Sequence, residues 1–188
     1  MKLITPTLIR TAEFAAIALQ VLVVGAFWGS WIGLSQSINT LTPATFVEVG
    51  HVMMEDYGPI MSVLMPAAVV VTLLAGVLVY KRHTLAGFLI LLGCACAVAA
   101  SAITLIVNVP IDEMMSAWTV STLPADWVQI RDRWETFHMI RTFVSLGGLS
   151  ITLAGSMVGG RELLAVDNPV EPLRCVAAGD ERVRTAVG

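Results

Sequence analysis

The sequence contains few charged residues: Asp, Glu, Lys and Arg together make up 13% of its 188 residues, whereas 56% are hydrophobic. With a mean hydropathy of +0.81, the chain has more apolar side chains than one soluble domain can bury. The formal net charge is only −3 and no basic run is present, which argues against a partner made of nucleic acid. We therefore expect the main partner of the chain to be the lipid bilayer.

Cysteine is also scarce, since the chain has only Cys94, Cys96 and Cys175. Side chains two residues apart on a helix point roughly 200° apart. Cys94 and Cys96 therefore cannot easily form a disulfide or share a metal ion. The sequence has no Cys-x-x-Cys pair. These features exclude a disulfide framework and argue against a membrane thiol oxidoreductase.

Acidic residues and lysine are absent from four long apolar runs, which comprise residues 14–34, 59–80, 84–107 and 139–158. A bilayer interior about 30 Å thick takes roughly 20 helical residues to cross, and each run is long enough. Because the runs are continuous rather than alternating, helices are favoured over barrel strands. We predict an all-α fold, an integral membrane four-helix bundle formed by residues 1–160. A disordered cytoplasmic tail is predicted over residues 161–188.

Lysine and arginine are missing from the first long loop, residues 35–58. Eight of the eleven lie before the first run, in the turn at Lys81 and Arg82, or after the fourth run. Positive residues concentrate on the cytoplasmic side of a membrane. We therefore expect a multi-pass protein of the bacterial inner membrane, with both termini in the cytoplasm and the two long loops outside.

Both external loops are predicted to contain short amphipathic helices. The first helix should begin at Pro43, with Thr42 as its N-cap, and end near Tyr57 because Gly58 and Pro59 follow. Three ionisable residues share one face of it: Glu48, His51 and Glu55.

The second external loop should begin where the third run ends, at Asn108-Val109-Pro110, because proline disfavours helix at the residue before it. A new helix is predicted to start at Pro124 and Asp126 and to continue directly into the fourth run. One stripe along this helix consists of Trp127, Arg131, Trp134, His138 and Arg141. Arg141 would lie below the interface and needs a partner, for which the candidates are Glu48, Glu55 and Asp112.

These polar residues concentrate at the external end, and ionisable groups near membrane depth usually face a cavity or one another. Their convergence predicts a functional site. Two alternatives stay open from the residues alone: a stripe of Trp and Arg can anchor a helix at the interface, and His51, Glu55 and His138 could hold a metal.

Glycine recurs at every fourth position of the first run, at Gly25, Gly29 and Gly33. Such spacing produces a flat groove that lets another helix approach closely. The partner helix could belong to the same chain, to a second copy in a homo-oligomer or to another membrane protein. This groove motivates an alternative function as a non-enzymatic membrane subunit or assembly partner.

Three motifs are more specific. They are Phe46-x4-His51 with Tyr57-Gly58-Pro59, then Asn108-Val109-Pro110-Ile111-Asp112 with Trp118, and then Asp126-Trp127-x3-Arg131-x-Arg133-Trp134-x3-His138-x2-Arg141-Thr142. Over roughly residues 14–158, the chain resembles the anthrone oxygenase-like family of small four-helix membrane proteins. Members of that family usually carry Asn where this sequence has Asp112.

The resemblance implies an oxygenase-like oxidoreductase that acts on a hydrophobic aromatic or lipid-like substrate, with molecular oxygen as co-substrate. Oxidation of an anthrone requires a base, for which His51 or His138 is expected, and a clamp for the enolate, expected from Arg141 and Asn108. Substrate binding is expected from Trp118, Trp127, Arg131 and Trp134. Two assisted versions remain open: iron or copper held by His51, Glu55 and His138, or a haem held axially by either histidine.

Overall fold

The computed structural model describes residues 5–38 and 40–167, and all regular structure in these ranges is helical. The elements are α1 (Pro6–Ser30), a π-helix (Trp31–Ser35), α2 (Gln36–Ile38), α3 (Pro43–Tyr80), α4 (Thr84–Ile103), a second π-helix (Thr104–Asn108), α5 (Val109–Ser116) and α6 (Trp127–Asp167). Four helical segments are long and apolar enough to cross a membrane: Pro6–Ser35, Pro43–Tyr80, Thr84–Ser116 and Trp127–Gly160. The predicted fold class is confirmed, and the architecture is compatible with a multi-pass membrane protein.

The start of α3 follows the predicted capping chemistry. Thr42 Oγ1 accepts a hydrogen bond from the Thr45 backbone N–H at 3.3 Å, and Pro43 occupies the first turn, where its missing N–H leaves no carbonyl unpaired. However, α3 does not end at Gly58 and Pro59 as predicted, because it runs without a break to Tyr80.

Two prolines therefore lie inside α3, at Pro59 and Pro66. Ending the helix would leave several backbone groups unpaired within an apolar segment, whereas one proline removes a single hydrogen bond. Ser62 Oγ also donates to the carbonyl of Pro59 at 2.8 Å. The predicted break was wrong because a local turn signal is weaker than the need to pair the backbone.

The predicted end of the third run at Asn108 was wrong for a similar reason. The π-helix of residues 104–108 passes directly into α5, with Pro110 in the first turn of α5. A π-turn shifts the hydrogen-bond register, so a proline can follow without interrupting the helical path. Residues 109–116 thus extend the third helical segment, and the second loop is shorter than predicted.

The fourth run is continuous with the helix before it, as predicted, since α6 begins at Trp127 and includes both. The helix also continues seven residues into the segment predicted as a tail, to Asp167. Residues 162–166 are Glu-Leu-Leu-Ala-Val, most of which favour helix. Residues 168–188, which make up the rest of the predicted tail, lie outside those that the structure describes.

Glycine permits close packing between α4 and α6. A Cβ atom added to Gly93 would lie 2.7 Å from the carbonyl oxygen of Gly148, and one added to Gly155 would lie 2.9 Å from the carbonyl oxygen of Ala86. Small residues let helix backbones approach in this way. The glycine face of α1 and the first π-helix differs, because Cβ atoms added at Gly25, Gly29 and Gly33 would meet nothing within 4 Å.

A polar contact joins three helices in the middle of the bundle. Gln20 Nε2 donates to Thr72 Oγ1 at 2.9 Å and to Thr152 Oγ1 at 3.2 Å, and all three side chains are buried. Buried polar groups in an apolar bundle need such partners. Gln20 was not among the residues that the sequence analysis singled out, and this contact aligns α1 with α3 and α6.

We predict that Gly93→Ala lowers the free energy of unfolding by about 1–3 kcal/mol, because the new methyl group has no room against Gly148. Thermal unfolding in detergent measures this. Gly147→Ala is the matched control, because its Cβ would meet nothing within 4 Å. The control should leave stability unchanged or raise it slightly. Equal effects of the two substitutions would contradict the close α4–α6 contact.

Candidate functional site

A cavity of about 830 Å³ lies between the helices at the end of the bundle away from the turn at Lys81 and Arg82; we call this the pocket end. Residues of all six helices and of both π-helices line it. Most of the lining is apolar and includes five methionines: Met53, Met54, Met61, Met65 and Met115. The polar and charged side chains in the lining are Ser30, Tyr57, Ser62, Ser101, Thr104, Asp112, Glu113, Arg131, His138 and Arg141.

The cavity forms where α3 and α4 separate. Below it the two helices are in close contact, as shown by Gly87 against Tyr80 and by Cys94 Sγ, which donates to the carbonyl of Val69 at 3.6 Å. Above Val69, residues of both helices line the cavity instead. Pro66 lies in this part of the wall, about one turn from Val69 along α3.

Arg141 is the central polar group of the site, with only 7% of its surface exposed. Its Nη1 donates to Thr104 Oγ1 at 2.9 Å, and its Nη2 and Nε reach His138 Nδ1 at 2.8 and 3.2 Å. The guanidinium carbon lies 4.5 Å from the centre of the Phe27 ring and 5.9 Å from that of Trp134. Aromatic faces and neutral acceptors therefore replace the water that the charge would otherwise need.

Both nitrogens of His138 are occupied. Its Nε2 lies 3.2 Å from the carbonyl oxygen of Phe27, which can only accept, while Nδ1 faces the Arg141 guanidinium, which can only donate. This pattern assigns the neutral ring with its proton on Nε2. The only lone pair of His138 is then directed at Arg141, so the ring holds the arginine and has no lone pair left for a base or for a metal or haem ligand.

Both π-helices border this cluster. The first begins directly after the turn that contains Phe27, whose carbonyl oxygen accepts from His138. In the second π-helix, Thr104 Oγ1 accepts a hydrogen bond from Arg141, and Asn108 Nδ2 donates to the carbonyl oxygen of Trp134 at 3.2 Å. Single turns of π-helix inside longer helices are frequent at functional sites.

Trp134 connects His138 to a carboxylate. Its ring is stacked on that of His138, with centres 4.9 Å apart, and its Nε1 donates to Asp112 Oδ1 at 2.6 Å. Asp112 and Arg141 both line the cavity. Of the three partners considered for Arg141, Asp112 is therefore the one that the fold brings near, because Glu48 and Glu55 are exposed on α3 and do not line the cavity.

A protein-family sequence model described as anthrone oxygenase matches residues 58–151, which make up half of the chain. The chain belongs to the anthrone oxygenase family. The matched segment includes Asp112, Trp134, His138 and Arg141, whereas Phe27 and His51 precede it. No curated protein and no solved structure matches the chain.

Four residues to which the sequence analysis assigned catalytic or substrate-binding roles do not line the cavity: His51, Asn108, Trp118 and Trp127. Asn108 is wholly enclosed, and its Oδ1 has no hydrogen-bond partner. Trp118 belongs to a core cluster with Phe46 and Ile111, and Trp127 packs on Phe46 with ring centres 5.1 Å apart. Of the three tryptophans expected to bind substrate, Trp134 is therefore the one that lines the cavity.

Arg131 does line the cavity, and its Nε and Nη2 donate to Asp132 Oδ1 at 3.0 and 2.8 Å. Its guanidinium carbon lies 5.3 Å from the centre of the Trp127 ring. The carboxylate of Asp132 neutralises this arginine locally. Arg141, whose neighbours in hydrogen-bond contact are neutral, is the stronger centre of positive charge in the cavity.

The predicted metal site is not assembled. Within residues 5–38 and 40–167, no group of three or more His, Cys, Asp or Glu side chains is placed to hold a metal ion. His51, Glu55 and His138 are separated because His51 and Glu55 lie off the cavity-lining face of α3. His51 Nε2 is buried without a hydrogen-bond partner, and a haem held by His51 stays a prediction.

The contacts that organise the site could not be recognised from sequence motifs alone. The Phe27 carbonyl is a backbone atom, and Thr104 occurs in an otherwise apolar run. Asp112 was noted as one of three possible partners of Arg141, but its link to Trp134 joins residues 22 positions apart in the chain. The two π-helices have no sequence signature comparable to a proline or a cap.

We predict that His138 is a neutral imidazole with its proton on Nε2. Nitrogen-15 NMR of protein labelled at histidine, in detergent, should show a protonated Nε2 and an unprotonated Nδ1 for this residue. His138→Gln assigns the signal by removing it, since the chain has three histidines. A ring protonated on Nδ1, or on both nitrogens, would contradict the contacts described above.

Proposed function

We propose that this member of the anthrone oxygenase family is a membrane oxidoreductase that oxidises a flat hydrophobic aromatic molecule with molecular oxygen. One observation carries the proposal: a buried arginine, Arg141, faces an apolar cavity of about 830 Å³. Ligand sites commonly have this volume and combine an apolar lining with a few fixed polar groups. A ligand with one polar atom and a large apolar ring system suits such a cavity.

Arg141 supplies what the oxidation of an anthrone requires. Its three hydrogen-bonding nitrogens each direct an N–H to His138 or Thr104, and a guanidinium has five N–H groups. Two are left for the carbonyl oxygen of a bound anthrone. When a proton leaves the adjacent ring carbon, that oxygen becomes an enolate, and fixed donors in a water-poor site stabilise the new charge.

The oxidation balances with oxygen alone as the oxidant. The enolate is electron-rich at the carbon that lost its proton, and this carbon combines with molecular oxygen. One oxygen atom stays as the new carbonyl of the quinone, and the other leaves as water with the two hydrogens of the original methylene group. The residues of the cavity need only hold the substrate and assist the removal of the proton.

The shape of the cavity supports access from the lipid phase. Val70 of α3 and Val98 of α4 line the cavity and are also largely exposed on the outer surface, as is Leu105 of the second π-helix. The cavity therefore reaches the surface between α3 and α4, where an apolar molecule dissolved in the bilayer can enter it. A molecule arriving from water would have no need of such a lateral opening.

The proposed orientation rests on the distribution of positive residues. Arg10, Lys81 and Arg82 lie at the end of the bundle opposite the cavity, and positive residues favour the cytoplasmic side. The termini are then cytoplasmic, and the pocket end opens in the external half of the bacterial inner membrane. This orientation agrees with a substrate taken from the external leaflet.

The alternative function is a non-enzymatic subunit that packs against another membrane helix, in a homo-oligomer or with a different protein. It is favoured by the glycine face of α1 and the first π-helix, which is open at Gly25, Gly29 and Gly33. A partner on this face would lie outside the cavity. The experiment on Arg141 separates the two functions, because packing through α1 does not depend on that side chain.

We predict that purified protein consumes oxygen in the presence of anthrone and that Arg141→Gln lowers kcat/KM by about 10²- to 10³-fold, since the enolate loses its donors. An oxygen electrode and the absorbance of the quinone measure turnover. Arg133→Gln is the matched control, because Arg133 is exposed and does not line the cavity.

Arg141→Lys keeps the positive charge but lacks the planar guanidinium group. Its kcat/KM should therefore lie between that of Arg141→Gln and that of Arg133→Gln. Melting curves of all variants show whether a loss of activity reflects unfolding. An absence of turnover in the wild-type protein, or full activity in folded Arg141→Gln, would refute the proposed function.

We also predict that Val98→Trp raises the KM for anthrone several-fold with little change in kcat, because the indole narrows the opening between α3 and α4. Steady-state kinetics in liposomes measure both constants. Leu92→Trp is the matched control on the same helix, since Leu92 is 41% exposed but does not line the cavity. The same KM in both variants would count against access through this opening.

A further inference from the structure

Asp112 places a carboxylate in the wall of the cavity. The residue lies in α5, shortly after the second π-helix, and its side chain is half-buried and lines the cavity. Its Oδ1 accepts a hydrogen bond from Trp134 Nε1 at 2.6 Å. Its Oδ2 has no hydrogen-bond partner among the described residues and is not enclosed by protein. One oxygen thus fixes the orientation of the group, and the other is accessible to a ligand.

Neither histidine expected as a base is placed to act as one. The only lone pair of His138 is directed at Arg141, and His51 does not line the cavity. The remaining carboxylate in the lining is that of Glu113, which is exposed and has no counterpart of the Trp134 contact. Asp112 is the basic group that the fold both orients and directs toward the cavity.

Asp112 and Arg141 face the same cavity without being paired. Both line the same cavity, but the hydrogen bonds of Arg141 go to His138 and Thr104. A direct ion pair would occupy both groups. Because the pair is not made, a ligand between them can direct its carbonyl oxygen to Arg141 and an acidic C–H bond to Asp112.

We propose that in this chain, which has Asp112 where the family usually has Asn, Asp112 is the base that removes the proton from the substrate carbon, an inference that rests on the proposed function. The C–H bond breaks, and its proton forms an O–H bond with Oδ2 of Asp112. The electron pair of that bond moves into the ring system and onto the carbonyl oxygen held by Arg141. The carboxyl group returns its proton to water or to the reduced oxygen atom in the later oxidation step, so nothing is consumed at Asp112.

Trp134 and His138 are positioning residues in this arrangement. The Trp134 indole holds Oδ1 of Asp112 and stacks on His138, and His138 holds Arg141. The base and the enolate clamp are therefore connected through two packed rings on α6, one turn apart. A fixed distance between base and clamp is what an oriented proton transfer needs.

The test isolates proton removal from oxidation. Anthrone is incubated with protein in detergent and D₂O without oxygen, and the exchange of its methylene hydrogens for deuterium is followed by NMR, after subtraction of the rate in detergent alone. Asp112→Asn keeps an oxygen that can accept from Trp134 but is not a base. Asp56→Asn is the matched control, because Asp56 is exposed on α3 and does not line the cavity.

The wild-type protein and Asp56→Asn should catalyse the exchange, and Asp112→Asn should lose about 10²-fold or more of it. Binding of anthrone, measured by quenching of tryptophan fluorescence, and the melting temperature should be retained in Asp112→Asn. A structural role alone would instead weaken binding or stability together with exchange.

Three outcomes would overturn the proposal: exchange by folded Asp112→Asn at the wild-type rate, its loss in Glu113→Gln instead, or no catalysed exchange by the wild-type protein. Aerobic turnover is scored separately. If the wild-type protein oxidises anthrone in air and Asp112→Asn exchanges hydrogen at the wild-type rate, Asp112 is not the base but the proposed function is retained. Catalysed exchange that depends on Asp112, without any oxidation in air, retains the base and refutes the oxygenase.

Discussion

The burial of the Arg141 guanidinium is the constraint on which the rest of the site depends. Moving such a charge out of water costs several kcal/mol unless protein groups replace its hydration. Thr104, His138 and the rings of Phe27 and Trp134 provide this replacement. His138 then needs an acceptor for its own N–H, which is the carbonyl of Phe27. One charge thereby ties the end of α1, the second π-helix and α6 to one another.

This chain of contacts changes the chemistry expected of the residues. A histidine in a cavity is often a catalytic base. A histidine that accepts a hydrogen bond from an arginine and donates one to a carbonyl has no free lone pair with which to take up a proton. The arginine keeps two N–H groups for a ligand, and the carboxylate of Asp112 keeps one oxygen. Positive and negative groups thus face one apolar cavity from two helices, an arrangement suited to generating and holding an enolate.

The helix boundaries show where local signals succeed and fail. The cap at the exposed start of α3 was recognised correctly, at Thr42 and Pro43, because the relevant hydrogen bonds are formed within a few residues. The breaks expected at Pro59 and after Asn108 were wrong, because in an apolar segment the backbone has no water to bond and stays helical. The close α4–α6 contact at Gly93 and Gly148 was also missed, although Gly148, Gly155 and Gly159 follow one face of α6.

The sequence by itself determined the all-α class, the four membrane-length segments and the stripe of polar residues on α6, because these depend on composition and on the period of a helix. The family followed from motifs of the same local kind. Only the tertiary structure decided which residues reach the cavity, that His138 serves Arg141 and that Asp112 meets Trp134. Those contacts join residues distant in the chain, and they depend on how helices pack and on two π-turns, neither of which is encoded in a short pattern.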